Sequence, residues 1–188
     1  MSGRRMLIVY GSSHGQTAKI AERIGEVLRL EGCDSTVVDA DAMPIRLDLG
    51  RYDAVLVGAS IIRSGHQRSV RDFLRTHAQA LRALPTGFFS VSGSAASADP
   101  AVRAEATRLM EEFLAEQQFE PELRATFGGA IAYTRYNPLL RWMMKRISEK
   151  EGGPTDTSRD HELTDWTAVE RFARQAEALP TSPLAAHR

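Results

Sequence analysis

Along the chain, short uninterrupted apolar runs alternate with longer stretches in which apolar residues return every three or four positions. The first pattern is that of strands buried on both faces of a parallel sheet, and the second that of helices laid against such a sheet. Strands are predicted over Met6–Tyr10, Ser35–Asp39, Ala54–Ala59, Gly87–Val91 and Gly128–Ala132. Helices are predicted over Thr17–Glu31, Ser69–Leu84, Pro100–Gln117 and Asp165–Ala178. Ile20, Ile24, Val27 and Leu28 share one face of the first helix; Trp166, Val169, Phe172, Ala173 and Ala176 form the stripe of the last. The fold class is therefore α/β, a doubly wound parallel sheet with helices on both faces. One domain is expected over residues 1–180, with a frayed tail at 181–188.

The junction between the first strand and the first helix reads "YGSSHGQT", Tyr10 to Thr17. A loop there presents unpaired backbone N–H groups at the positive end of a helix, which suits an anion. Ser12, Ser13 and Thr17 add hydroxyls, and Gly11 and Gly15 permit close backbone approach. Gln16 stands where a nucleoside-triphosphate loop needs lysine, and the glycine spacing of a dinucleotide fold is absent. The alternative is an ordinary turn with Ser or Thr as helix cap.

Two further loops lie on the same edge of the sheet: "GASIIRSGH", Gly58 to His66, and "SVSGSAASADP", Ser90 to Pro100. In the flavodoxin-like strand order 2-1-3-4-5, which this alternation suggests, a ligand sits beyond the carboxyl ends of strands 1 and 3. A phosphate on the first loop and a flat ring pinched by the other two describes FMN.

Composition narrows the setting. A chain of 188 residues, 43% hydrophobic and 26% charged, suits one globular domain. With 24 basic and 24 acidic residues, global charge gives no case for nucleic acid. Cys33 is the single cysteine, which excludes an internal disulfide and any cysteine cluster and fits a reducing cytoplasm; no metal site is expected. The opening apolar run is too short for a secretion signal, and "AVLVGASII" falls far short of the ~20 residues of a spanning helix. Any membrane contact is expected to be peripheral.

Between the last strand and the last helix, residues 133–164 form a long insertion. Its "PLLRWMMKRI" run is helix-compatible: Leu139, Leu140, Trp142, Met143, Met144 and Ile147 form an apolar arc, with Arg141 and Lys145 opposite. From Arg124 to Ser148 there are five basic residues and no acidic one. That composition fits a helix on an anionic bilayer, and equally a face packed on the sheet or on a second subunit of a homo-oligomer.

The phosphate loop resembles that of flavodoxins. The segments "GASI", "SGH", "FFSVS" and above all "GGPTDTSRDHELTDWTAVERFA" are similar to the quinone-linked, oxygen-independent protoporphyrinogen oxidases. The resemblance implies bound FMN, oxidation of protoporphyrinogen IX, and electron delivery to a membrane quinone by a cytoplasmic protein peripherally attached to the inner membrane. It assigns Ser12, Ser13, His14, Gly15, Gln16 and Thr17 to the phosphate. Ala59, Ser60, Ile61, Ile62, Arg63 and Gly65 go to one edge of the ring, and Ser92 and Gly93 to its other side. No side-chain catalyst is expected, because the flavin carries the chemistry. Arg63, His66, Tyr133, Arg135 and Arg141 are the candidate substrate contacts, His66 being also a candidate base or helix cap. A flavodoxin-type electron carrier, an FMN-dependent quinone reductase and a cofactor-free binding module share the same scaffold.

Overall fold

The computed structural model describes residues 3–44, 46–62, 65–150 and 152–180. Five parallel strands carry the fold: β1 (Arg5–Gly11), β2 (Asp34–Asp39), β3 (Ala54–Ile62), β5 (Thr86–Ser92) and β6 (Leu123–Gly128), side by side in the order β2-β1-β3-β5-β6. A two-residue strand, β4 (Gly65–His66), folds back antiparallel on the end of β3. Leaving β4 aside, this is the expected flavodoxin-like order.

The run "MLIV" explains why β1 is central. Met6, Leu7, Ile8 and Val9 are all fully buried, and alternate residues enter opposite cores. Met6 and Ile8 meet Ile20, Ile24 and Leu28 of α1 (Gln16–Leu30) and Val169, Phe172 and Ala173 of α6 (Trp166–Glu177). Leu7 and Val9 belong to the second core, with Val70, Phe73 and Leu74 of α2 (Arg68–Thr76) and Met110, Phe113 and Leu114 of α4 (Pro100–Gln117). A side chain is barred at Gly58 of β3, since a Cβ there would lie 2.1 Å from the Phe89 ring.

Two expectations need correction. The last sheet strand was expected at Gly128–Ala132 but runs Leu123–Gly128. It is an edge strand, half-exposed at its start, with Arg124 turned out to Glu111 at 2.6 Å, so its apolar signal is weak. The stronger run beyond it instead supplies β7 (Ala130–Ile131), which pairs antiparallel with β8 (His161–Glu162) and closes the base of the insertion. The helix expected over Ser69–Leu84 is broken at His77, whose backbone (φ −108°, ψ 14°) leaves the helical region. A short α3 (Ala78–Leu81) follows. Within the insertion, a 3₁₀ turn at Tyr133–Arg135 leads to α5 (Pro138–Lys150). The tail at 181–188 lies outside the described residues.

The close approach at Gly58 yields a test. Gly58→Ala should destabilise the fold by about 1–3 kcal/mol through overpacking against Phe89. Urea unfolding would measure the loss, which an unshifted midpoint would contradict.

Candidate functional site

The carboxyl ends of β1, β3 and β5 are adjacent: the last ladder pairs put Gly11 beside Ala59 and Ser60 beside Val91. The loops that follow these strands therefore share one edge of the sheet. Gly15 opens α1 in the left-handed conformation (φ 91°), with no side-chain cap and no acidic residue in the first turn. The aspartates that cap α4 and α6 contrast with it: Asp99 accepts from Ala101 N and Asp165 from Ala168 N. The N-terminus of α1 is left electropositive: apart from Gly15 N, which Ser12 Oγ takes, no side chain is hydrogen-bonded to its first N–H groups.

Thr17, in the first turn, is 1% exposed, and its Oγ1 is buried without a hydrogen-bond partner. A buried hydroxyl left unpaired costs roughly 1–3 kcal/mol, so the atom calls for an acceptor that the chain does not supply. Ser12 accepts from Gly15 N at 3.0 Å and shapes the turn, while Ser13 and His14 are exposed. At the third loop, Ser92 Oγ accepts from Ala95 N at 3.2 Å, and a Cβ added to Gly93 would meet nothing within 4 Å. An electropositive helix end, an orphan hydroxyl and an open glycine flank fit a phosphate joined to a flat group, so these residues fit FMN.

At the second loop, Ala59 is fully buried in the α2-side core and offers only backbone. Ser60, Ile61 and Gly65 are half-buried. Arg63 and the Ile62 side chain lie outside the described residues.

The other proposed contacts are placed differently from expectation. His66 is buried within the α2–α4 layer, its Nε2 2.9 Å from Ser90 Oγ and its ring 4.3 Å from that of Phe113. Burial, aided by the Arg71 charge, pushes its pKa down to about 4, so it is neutral near pH 7. It does not cap α2, whose N-cap is Gln67. Tyr133 is also fully buried, its hydroxyl donating to Pro154 O at 2.8 Å, and so anchors the insertion. Arg141, expected opposite the apolar arc, turns inward: its Nε and Nη2 donate to Tyr133 O (2.9 Å) and Tyr136 O (3.1 Å). Backbone carbonyls at the 3₁₀ turn hold it there: Tyr133 O, which also accepts from Tyr136 N at 3.3 Å, has a second lone pair for the guanidinium, and Tyr136 O takes its other donor.

Arg135 is brought to the phosphate loop, where Nη1 donates to His14 O at 3.0 Å, and the Tyr136 ring stands edge-on to His14 at 5.8 Å. The loop, in which Gln16 stands where a nucleoside-triphosphate loop has lysine, thus has a cation at its rim from another part of the chain. Three further residues secure the loop, and sequence reasoning gave them no role. Thr164 Oγ1 accepts from Gln16 Nε2 at 2.9 Å and donates to Gly128 O at 2.7 Å. Glu162 pairs with Lys19 at 3.3 Å; burial opposes its charge, but hydrogen bonds from Trp166, Gln16 and Lys19 outweigh that and hold its pKa below the usual glutamate range. Gln67 reaches both Ser13 and Ser60. No sequence signal marks Gln67, since the helix it caps is predicted to begin at Ser69; Thr164 and Glu162 lie in the segment that carried the resemblance.

His66 makes stability pH-dependent. Its folded pKa lies below the ordinary 6.5, so the unfolded chain binds more protons between the two values. The stability tied to the neutral ring is full above pH 6.5 and falls as pH drops toward 4, by up to about 3 kcal/mol. Replacing His66 with Gln should flatten that part of the curve in denaturation measured at pH 7.5 and 4.5; an unchanged slope would assign the acid sensitivity elsewhere.

The profile of the flavodoxin domain matches residues 7–158 of this chain. The protoporphyrinogen IX dehydrogenase [quinone] of Escherichia coli strain K12 is 34% identical over 181 residues, covering 95% of this chain and 98% of that protein. The enzyme of the same name from Leishmania major is also 34% identical over 181 residues, covering 94% of this chain and 76% of its own. Flavodoxin 1 of Azotobacter vinelandii is 41% identical over only 69 residues, 36% of this chain and 39% of its own. Among solved structures, oxidised flavodoxin 1 from Bacillus cereus superposes with a TM-score of 0.52 at 18% identity, covering 98% of this chain and 99% of its own. That likeness concerns the fold.

Proposed function

The chain belongs to the flavodoxin domain family and, within it, to the protoporphyrinogen IX dehydrogenase [quinone] family, and from that premise we propose that it uses FMN to oxidise protoporphyrinogen IX and passes the electrons to a quinone. The observation that carries this reading is the reach of the similarity. It runs through the insertion to the last helix at 34% identity, whereas the flavodoxin match covers little more than a third of the chain. A plain electron carrier, whose docking surface would be strongly acidic, is disfavoured further by zero net charge and by the basic stretch from Arg124 to Ser148.

FMN, when bound, supplies the electron acceptor; the chain holds it and presents its edge. The α1 N-terminus and the Thr17 hydroxyl would take the phosphate, with Arg135 at the rim. The ends of β3 and β5 would flank the ring. His66 and Tyr133 are buried and hydrogen-bonded, so they belong to the scaffold, and Arg141 is committed to carbonyls of the insertion. Among the described residues, Arg135 is the candidate cation at this edge with which a propionate of the substrate would pair.

The membrane reading rests on α5. Leu139, Trp142, Met143 and Ile147 are 75, 60, 45 and 41% exposed and lie on one face, while Ser148 and Arg141 face inward. The Arg146 guanidinium sits 5.9 Å from the Trp142 ring, and Lys145 and Lys150 are exposed beside it. An apolar stripe bordered by cations is the chemistry of an anionic bilayer surface, where a quinone dissolves. No described helix is long and apolar enough to cross a membrane, so the attachment proposed here is peripheral, on the cytoplasmic face.

An anaerobic assay of FMN-loaded protein with protoporphyrinogen IX and a menaquinone analogue should yield protoporphyrin. Thr17→Val should weaken FMN binding by about 1–3 kcal/mol, since it removes the hydroxyl placed for the phosphate. Flavin that stays oxidised with protoporphyrinogen, yet is reduced through a nicotinamide-linked reductase, would favour the electron carrier.

Replacing both Trp142 and Met143 with Glu should release the protein from anionic vesicles in a flotation assay and leave FMN binding intact. A wild-type protein that stays free of such vesicles at low salt would reject membrane attachment.

A further inference from the structure

We propose that Gln67 is a positioning residue that fixes the separation between the phosphate loop and the end of β3, so that a single FMN can engage both; this rests on the FMN reading above. The ladder between β1 and β3 ends at Gly11 and Ala59. Beyond that pair, among the described residues, no backbone hydrogen bond ties the two segments, yet the cofactor has to span them. Gln67 continues the connection with a side chain: its Nε2 donates to Ser13 Oγ at 3.2 Å and to Ser60 Oγ.

The residue stands in the right place to do so. It is the N-cap of α2, with extended backbone (φ −57°, ψ 142°), but its side chain makes no hydrogen bond to the helix it opens. Its Cβ and Cγ pass 3.2 and 3.4 Å from the position a Cβ on Gly11 would occupy, so the stem is seated against the end of β1. The Oε1 atom is buried and unpartnered. An acceptor left so is held by what the rest of the amide does, and here that is the double donation to the two serines. The neutral amide also suits the place: a carboxylate would repel a phosphate on the adjoining loop, and an ammonium would compete for it. Bridging before the ligand arrives reduces the ordering that binding must impose.

The test compares the wild type with Gln67→Met, which keeps length and packing but loses the donors, and with Gln67→Ala. FMN, riboflavin and inorganic phosphate are titrated into each, and backbone hydrogen exchange over residues 12–15 and 58–61 is followed without ligand. In the Met variant, thermal stability should hold and exchange should rise in both segments together. Its FMN dissociation constant should rise about tenfold. Riboflavin and phosphate, each engaging one wall, should bind nearly as before. Wild-type FMN affinity and exchange in the Met variant would reduce Gln67 to packing, and equal losses for all three ligands would point to general loosening; either overturns the proposal. A wild type that binds no FMN rejects the functional reading itself, and the exchange result then decides the bridge alone.

Discussion

A loop that binds an anion through its own N–H groups cannot also spend those groups on holding itself in shape. From Gly11 to Thr17 the chain must leave the α1 N-terminus open, and Gly15 at φ 91° is the conformation that does so. Ser12, accepting from Gly15 N, is the one internal side-chain tie. The remaining support comes from outside: Arg135 on the His14 carbonyl, Thr164 on Gln16, and Gln67 on Ser13. Each leaves the backbone N–H groups of the loop free, engaging instead a carbonyl, an amide side chain and a hydroxyl oxygen.

This requirement accounts for the inner face of the insertion. β7 and β8 bring Glu162 and Thr164 to α1, and the 3₁₀ turn delivers Arg135 to the loop. Arg141 ties α5 to that turn through the Tyr133 and Tyr136 carbonyls, and Tyr133 and Ser148 both donate to Pro154 O, at 2.8 and 2.7 Å. With its inner side so occupied by polar ties, α5 is left with Leu139, Trp142, Met143 and Ile147 pointing outward. The insertion is thus continuous in hydrogen bonds from the phosphate loop to the exposed apolar stripe.

The central strands and long helices were legible because their burial is uniform: β1 is buried on both faces, and α1, α4 and α6 follow their apolar periodicity to within a residue or so at either end. The misplaced last strand and the split at His77 share a cause. In both, one side of the element faces solvent or an irregular neighbour, so local composition no longer reports the backbone. The residue types of the loop after β1 already suit an anion, whereas the surroundings of Tyr133, Arg135 and Arg141 cannot be read from residue types. Those depend on which backbone carbonyls the folded chain brings within reach of each side chain, which is a tertiary fact. An arginine opposite an apolar arc reads as a candidate substrate contact until a 3₁₀ turn folds above it and offers two acceptors.

Among the described residues, the buried side-chain polar atoms without partners are Arg4 Nε, Thr17 Oγ1, Gln67 Oε1, Ser69 Oγ and Arg71 Nε. Thr17 opens α1 behind the phosphate loop, and Gln67 and Ser69 open α2 behind the end of β3, so they gather where the loops converge. Each such atom costs roughly 1–3 kcal/mol in a fold whose whole stability is on the order of 5–15 kcal/mol. A sheet so uniformly packed elsewhere has no structural use for unsatisfied hydroxyls at one edge. Local rules are broken where function needs them broken, and at Thr17 the broken rule is one that a bound phosphate would restore. The free energy withheld from the ligand-free fold at that atom is then available to the complex, and it ties cofactor affinity to the burial of the first turn of α1.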